Sequence, residues 1–170
     1  MKTHFDPLSS FLFLAAVLLW CGMLVVVPLL SSVETQPQLL SHSIYRAYSH
    51  ICHQYDSRSL HLCGCKLPVC ARCSGIYFGF LIGSIGILWA RRGWGGRTLR
   101  AWGILLVPML FDVLLNITGV HNSTILTRML TGLFFGIGAA MILAPLMIEG
   151  ITEIITNSFF MKGVFRESKT

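Results

Sequence analysis

Cysteine and histidine residues crowd into one stretch of the chain, and their spacing suits metal binding. Cys70 and Cys73 form a Cys-x-x-Cys pair, which places two sulfur atoms close enough to bind one ion or to join in a disulfide. Cys52 and His53 precede this pair and offer a thiol and an imidazole for the other two corners of a tetrahedral site. The pattern therefore predicts a metal site, with zinc as the expected ion, at Cys52, His53, Cys70 and Cys73.

The same cysteines also suit thiol–disulfide exchange, because a Cys-x-x-Cys pair lowers the pKa of one of its thiols. In this alternative the pair exchanges disulfides with exported proteins or a membrane quinone, and Cys52 is the resolving thiol. Cys63 and Cys65 complicate the assignment, since they could replace a ligand or pair with each other. Five cysteines in one stretch is an odd number, which argues against complete pairing as disulfides. Ser74, not a histidine, follows Cys73, which disfavours covalent haem attachment.

Charged and amide side chains also interrupt two apolar runs further along the chain. Asp112 and Asn116 share one helix face in the first run, and Arg128 lies in the second. A lone charge is costly inside a bilayer, so Asp112 and Arg128 are expected to pair. Two interpretations stay open: a structural ion pair that locks two helices, or a polar cleft under the cysteines that binds a proton, an ion or an anionic group.

Three polar residues near the cysteines are further candidates for the site: Gln54, Arg58 and Arg72. The two arginines suit a substrate anion or lipid phosphates. Arginines at a membrane interface nevertheless more often extend along apolar surface only to reach water. They therefore rank below the cysteines.

The composition predicts an integral membrane protein. Apolar residues make up 54% of the 170-residue chain and charged residues 12%, against about a quarter in soluble domains. The mean hydropathy is +0.70. A net charge of +6 does not indicate nucleic-acid binding, because the basic residues flank apolar runs, as they do in membrane proteins. The lipid bilayer is therefore the expected partner, and the chain is short enough to form one domain.

Four apolar runs are long enough to cross a bilayer as helices, at residues 11–30, 74–90, 101–119 and 124–148. The first is interpreted as a retained span, because no small-x-small cleavage site follows it. Segment 31–73 is then a Cys/His-rich loop outside the membrane, with a short amphipathic helix over 39–53 and an irregular stretch over 56–68. The predicted fold is an all-α membrane domain over 1–170, with a C-terminal tail at 149–170.

Small residues recur at every fourth position of the second and fourth spans, and such ridges let two helices approach closely. These two spans are therefore expected to be neighbours; the ridges are Gly75, Gly79 and Gly83, and Gly132, Gly136, Ala140 and Ala144. Lysine and arginine counts near the span ends, dominated by the 91–100 segment, favour cytoplasmic termini and an extracytoplasmic cysteine loop.

The chain also resembles domain-of-unknown-function family 2085, whose members are small prokaryotic membrane proteins. The resemblance covers about residues 45–138 and is most specific at Cys52-His53-Gln54, at Arg58-Ser59 and at Leu67-Pro68-Val69-Cys70-Ala71-Arg72-Cys73-Ser74-Gly75-Ile76-Tyr77. It continues at Pro108-Met109, Asp112, Asn122-Ser123-Thr124, Arg128 and Thr131-Gly132. The chain departs from the family pattern at Val113, where a glycine is expected, and in having Cys63 and Cys65.

The resemblance implies the family's fold, a prokaryotic cell membrane and one site made of Cys52, His53, Cys70, Cys73, Asp112 and Arg128. It implies no activity. Three functions follow from the residues: a metal-binding module capping a polar intramembrane cleft, a membrane thiol–disulfide oxidoreductase, and an accessory subunit whose glycine-lined helices dock a larger complex or a second copy of the chain.

Overall fold

A computed structural model describes residues 6–31, 38–90, 96–119 and 123–167 of the chain. Most of these residues are helical, and two short strands form the only sheet among them. The elements in chain order are α1 (Pro7–Ser31), α2 (Gln38–Ser49), a single 3-10 turn (Asp56–Arg58), β1 (Ser59–Leu62), β2 (Cys65–Cys70), α3 (Ala71–Ala90), α4 (Gly96–Ile117) and α5 (Ile125–Glu167).

The helical membrane class is confirmed, although the strands β1 and β2 depart from the all-α prediction. The count of four spans is not confirmed. Within the described residues, three helical segments are long and apolar enough to cross a bilayer: Pro7–Leu29, Ala71–Trp89 and Ile125–Asn157. The apolar part of α4, Gly103–Ile117, is shorter than the roughly 20 residues that a perpendicular crossing needs. A fourth span therefore stays a prediction.

Helices α3 and α5 form the closest contact in the bundle, as their small residues predict. A Cβ added at Gly75 or Gly79 would collide with the backbone carbonyl of Met129 or Leu133 in α5. In the other direction, a Cβ at Gly132 would collide with the carbonyl of Arg72. The two backbones touch because glycine leaves no side chain between them.

Residues 59–70 form a β-hairpin, so the prediction of an irregular stretch over 56–68 is wrong. Strands β1 and β2 pair antiparallel, and Leu62 lies opposite Cys65. Cys63 and Gly64, between them, both have positive φ, 51° and 81°, which suits a tight two-residue hairpin turn. Pro68 argues against a strand in the sequence, but an edge strand tolerates a proline, and the register is irregular next to it.

Helix α2 confirms the helix predicted over 39–53, although it ends at Ser49. Tyr48 anchors it to the bundle: its side chain is only 3% exposed, and its hydroxyl donates a hydrogen bond to the carbonyl of Trp20 in α1 at 3.0 Å. The hydroxyl of Tyr45 donates to the carbonyl of Lys66 in β2. Helix α2 is thus held against both α1 and the hairpin.

Several predicted boundaries differ from the observed elements. Helix α4 begins at Gly96, within the segment predicted as a loop over 91–100, and α5 continues through most of the predicted tail to Glu167. Residues 32–37, 91–95 and 120–122 lie outside the described residues, as do Lys2 and Lys169. The predicted orientation in the membrane depends largely on those basic residues, and it stays a prediction.

The glycine contact predicts a large difference between two otherwise similar substitutions. Gly79→Ala forces the α3 and α5 backbones apart and should lower the free energy of unfolding by about 1–3 kcal/mol. Gly86→Ala is the matched control, because a Cβ there has nothing within 4 Å and alanine favours the helix by up to about 1 kcal/mol. Unfolding in mixed detergent micelles, followed by tryptophan fluorescence, measures both. Equal stability of the two variants would contradict the close contact.

Candidate metal centre

Three cysteines converge where the hairpin joins α3. The Sγ atoms of Cys52, Cys70 and Cys73 all lie within 4.8 Å of one another, and all three are free thiols. Three sulfurs bound to one zinc ion at about 2.3 Å would be about 3.8 Å apart, so a small movement closes the site. Among the described residues, no histidine or carboxylate joins this group.

The turn after α2 positions Cys52. Its backbone N–H donates to the carbonyl of Tyr48 at 2.9 Å, and its side chain packs in a buried cluster with Leu24 and Val69. The amide of Gln54 donates to the carbonyls of Tyr45 at 2.8 Å and Pro68 at 2.7 Å, which ties the turn to β2. Gln54 therefore holds Cys52 in place, a role that its sequence position alone does not reveal.

Cys70 occupies the N-cap of α3, the position before the first helical residue. Its sulfur accepts hydrogen bonds from the backbone N–H groups of Arg72 and Cys73, as an N-cap side chain does. Its own N–H donates to the sulfur of Cys52 at 3.2 Å. Each of these donors favours a negatively charged sulfur, the form in which cysteine binds metals.

The hydrogen-bond donors around the Cys70 sulfur lower the pKa of its thiol. The hydrogen bond from the Cys73 side chain has the largest effect, and together with the backbone N–H donors and the Cys52 side chain it lowers the pKa of Cys70 from 9.0 to about 5 against the opposing effect of burial. Cys70 is therefore largely a thiolate at neutral pH.

His53 does not join the three-sulfur group among the described residues. Its ring is exposed and stacks on that of Tyr55, with centroids 6.0 Å apart and planes 6° from parallel. The guanidinium of Arg58 lies over the same tyrosine ring, 5.6 Å from its centroid. His53 still lines the pocket onto which the cysteines open, so its predicted role as a ligand stays a prediction.

That pocket has a volume of about 400 Å³ and combines the cysteines with basic groups. Arg58 from the 3-10 turn, Arg72 from α3 and Arg128 from α5 line it, together with residues 51–55. Cys63 and Cys65 lie at the hairpin turn, and neither belongs to the three-sulfur group within the described residues. The pocket is thus lined by all four predicted metal ligands and by one of the two predicted intramembrane charges, Arg128.

The predicted pairing of Asp112 with Arg128 is wrong, because Asp112 pairs with Arg72. The Arg72 guanidinium donates to the Asp112 carboxylate, whose side chain is 8% exposed. Helix α3 begins at Ala71, earlier than predicted, so Arg72 lies in its first turn and faces α4. Arg128 is buried, as predicted, and its Nε donates to the carbonyl of Ser123 at 3.1 Å.

Asn116 does not line this pocket. Its amide donates to the hydroxyl of Ser123 at 3.0 Å, so it links the end of α4 to the start of α5. Arg128 also binds this segment, because its Nε donates a hydrogen bond to the carbonyl of Ser123. Asn116 therefore contacts Ser123, the residue that also binds Arg128. The spacing of Asn116 from Asp112 in the sequence does not predict this contact.

Comparisons with known proteins find one matching family model and two uncharacterised relatives. A family model described as a predicted membrane protein, DUF2085, matches residues 52–142, which include Cys52, Cys70, Cys73, Asp112 and Arg128. An uncharacterised protein of Methanocaldococcus jannaschii is 33% identical over 116 residues, 67% of this chain and 74% of the relative. An uncharacterised protein of Methanothermobacter thermautotrophicus is 30% identical over 95 residues, 56% of this chain and 86% of the relative. No solved structure matches the chain significantly.

The buried ion pair predicts the effect of Asp112→Asn. The amide leaves the Arg72 charge without its partner, so the free energy of unfolding should fall by about 3 kcal/mol. Asp56→Asn, which removes an exposed carboxylate, is the control and should change little. The double variant Arg72→Leu/Asp112→Leu should recover much of the loss, because it removes both charges. Detergent unfolding measures all three, and equal stability of the Asp112 and Asp56 variants would refute the pair.

The thiol chemistry predicts a pH profile. In reduced, metal-free protein, alkylation of Cys70 by iodoacetamide should rise with pH around a midpoint near 5, because only the thiolate reacts. Cys73→Ala removes the strongest hydrogen bond to Cys70 and should move that midpoint towards 9.0. Cys63→Ser is the control and should leave it unchanged. Mass spectrometry of the Cys70 peptide gives the profile, and a wild-type midpoint near 9.0 would contradict the geometry.

Proposed function

The chain belongs to the DUF2085 family of predicted membrane proteins, and from this premise we propose that it binds one metal ion at Cys52, Cys70 and Cys73. The proposed ion is zinc, and the site caps a polar cleft formed by Arg72, Asp112 and Arg128. The matched region contains all of these residues.

The observation that carries the proposal is the convergence of three sulfurs with aligned N–H donors. Sulfurs from the turn after α2, the end of β2 and the first turn of α3 lie within 4.8 Å of one another. Three thiolates favour zinc or another soft ion over calcium or magnesium. Such an ion would join three segments that are far apart in the chain and would stabilise the junction between the hairpin and the bundle.

The fourth coordination position has two candidate occupants. Three protein ligands with an open fourth position are typical of zinc sites that admit water or a ligand, and the sulfurs open on a pocket here. His53 lines the same pocket and would close the site if its ring turned away from Tyr55. The exposed, stacked position of His53 favours the open, three-cysteine site.

A specific observation also favours a second function, thiol–disulfide exchange. Cys70 lies at a helix N-terminus with a lowered pKa, and the Cys73 sulfur lies within 4.8 Å of it. In this reaction the Cys70 thiolate attacks a substrate disulfide and releases one substrate thiolate. Cys73 then attacks the Cys70 sulfur and releases the second, so the substrate gains two electrons and the protein is left with a Cys70–Cys73 disulfide.

An accessory role in a larger complex has less support. That prediction depends on the glycine ridges as docking surfaces, and within this chain the glycines of α3 and α5 already pack against the facing helix. The ridges are therefore already used, and docking through them would require separating the two helices.

Metal content tests the proposal directly. Protein purified in detergent without chelators should contain about one zinc ion per chain, measured by plasma mass spectrometry. Cys52→Ser, Cys70→Ser and Cys73→Ser should each lower that content at least about tenfold, because each removes a thiolate ligand. Cys63→Ser is the matched control and should keep the metal.

His53→Ala distinguishes the two coordination models, since retention of zinc supports the three-cysteine site and loss supports His53 as the fourth ligand. A metal-free wild type whose Cys70 and Cys73 form a readily reduced disulfide would overturn the metal proposal and favour exchange. A disulfide count on the same preparation by differential alkylation gives that result.

A further inference from the structure

Three guanidinium groups line the pocket beside the cysteines, and a metal ion bound by the cysteines does not require them there. We propose that Arg58, Arg72 and Arg128 bind an oxyanion of the phosphate class in this pocket. The inference goes beyond the metal site: it depends on the arginines and the shape of the pocket, and it does not require an ion at the cysteines.

The fold places two of these arginines, Arg72 and Arg128, at the pocket. Arg128 is 8% exposed yet lines the pocket, and its Nε donates a hydrogen bond to the carbonyl of Ser123. Arg72 pairs with Asp112 through Nη2, and among the described residues its buried Nε has no hydrogen-bond partner. Arg72 also lines the pocket, so an acceptor bound there can contact the guanidinium that Asp112 orients.

The charges around the pocket do not balance. Three cations line it, and among the described residues no acidic side chain does. Asp112 pairs with Arg72, and Arg128 is repelled by Arg72 and Arg58 and attracted by Asp112 and the Cys70 thiolate. A divalent ion held by three thiolates carries one net negative charge, so even the metal-loaded site leaves one positive charge. A bound monoanion would neutralise it.

The geometry favours a phosphate group. The planar fork of guanidinium matches two oxygens of a phosphate, and arginine is the usual residue for such contacts. Arg58, on the 3-10 turn, is exposed at the side of the pocket, where it can reach an incoming ligand. A volume of about 400 Å³ is larger than a bare phosphate needs, so an esterified phosphate fits as well. The group could belong to a lipid headgroup or to a soluble phosphate.

Calorimetric titration tests this proposal. The protein, purified in a phosphate-free maltoside detergent, is titrated with inorganic phosphate and separately with dihexanoyl phosphatidylglycerol. We expect saturable binding of at least one of the two at one site per chain. Arg128→Gln should weaken it by about tenfold or more, because it removes a charged hydrogen-bond donor. Arg58→Gln, a change at an exposed residue that does not threaten folding, should also weaken it measurably.

Arg46→Gln is the matched control, since Arg46 is exposed in the last turn of α2 and does not line the pocket. It should bind as the wild type does. Tighter binding of the lipid identifies a headgroup site, and tighter binding of inorganic phosphate identifies a soluble ligand. Absence of saturable binding for both, or equal affinities for the Arg58, Arg128 and Arg46 variants, would overturn the proposal.

Cys70→Ser separates this proposal from the metal site. If the variant loses zinc and still binds the phosphate ligand, the two sites are independent, as proposed. If wild-type protein contains zinc but binds neither ligand, the oxyanion site is wrong and the metal site stands. If wild-type protein binds a phosphate ligand but contains no zinc, the metal site is wrong and the oxyanion site stands.

Discussion

The site depends on the close contact between α3 and α5, in which glycines of each helix pack against backbone carbonyls of the other. Gly132 of α5 packs against the carbonyl of Arg72, in the first turn of α3. Arg128 lies four residues before Gly132 and therefore on the same helix face. The contact consequently brings Arg128 to the end of α3 that carries Arg72 and Cys73. A larger residue at Gly132 would move the basic side of the pocket away from its sulfur side.

The second constraint is the junction of hairpin and helix. Cys70 ends β2 and caps α3, so its side chain receives the free N–H groups of a helix N-terminus while its own N–H reaches Cys52. The side-chain amide of Gln54 binds two carbonyls and holds the Cys52 turn against this junction. Backbone hydrogen bonds thus hold the sulfurs of Cys52 and Cys70 beside the pocket that all three cysteines line.

How far the sequence predicts this arrangement depends on the kind of signal. Regular spacings were informative: the Cys-x-x-Cys pair and the glycine ridges correctly indicated a sulfur cluster and the α3–α5 contact. The pairing of Asp112 failed because the predicted start of α3 was three residues late, which left Arg72 in a loop. The hairpin was missed because Cys63 stands at the turn position where asparagine, aspartate or glycine is usual, and because Pro68 suggests a break. Tertiary hydrogen bonds such as those of Gln54 have no local pattern.

The central claim is that three cysteine sulfurs bind one ion while its fourth position faces the basic pocket. X-ray absorption spectroscopy at the zinc edge, on protein purified in detergent, tests it most directly because it counts the ligand types around the ion. The account predicts three sulfurs at about 2.3 Å and one nitrogen or oxygen at about 2.0–2.1 Å. Two sulfurs, four sulfurs or no bound zinc would contradict it.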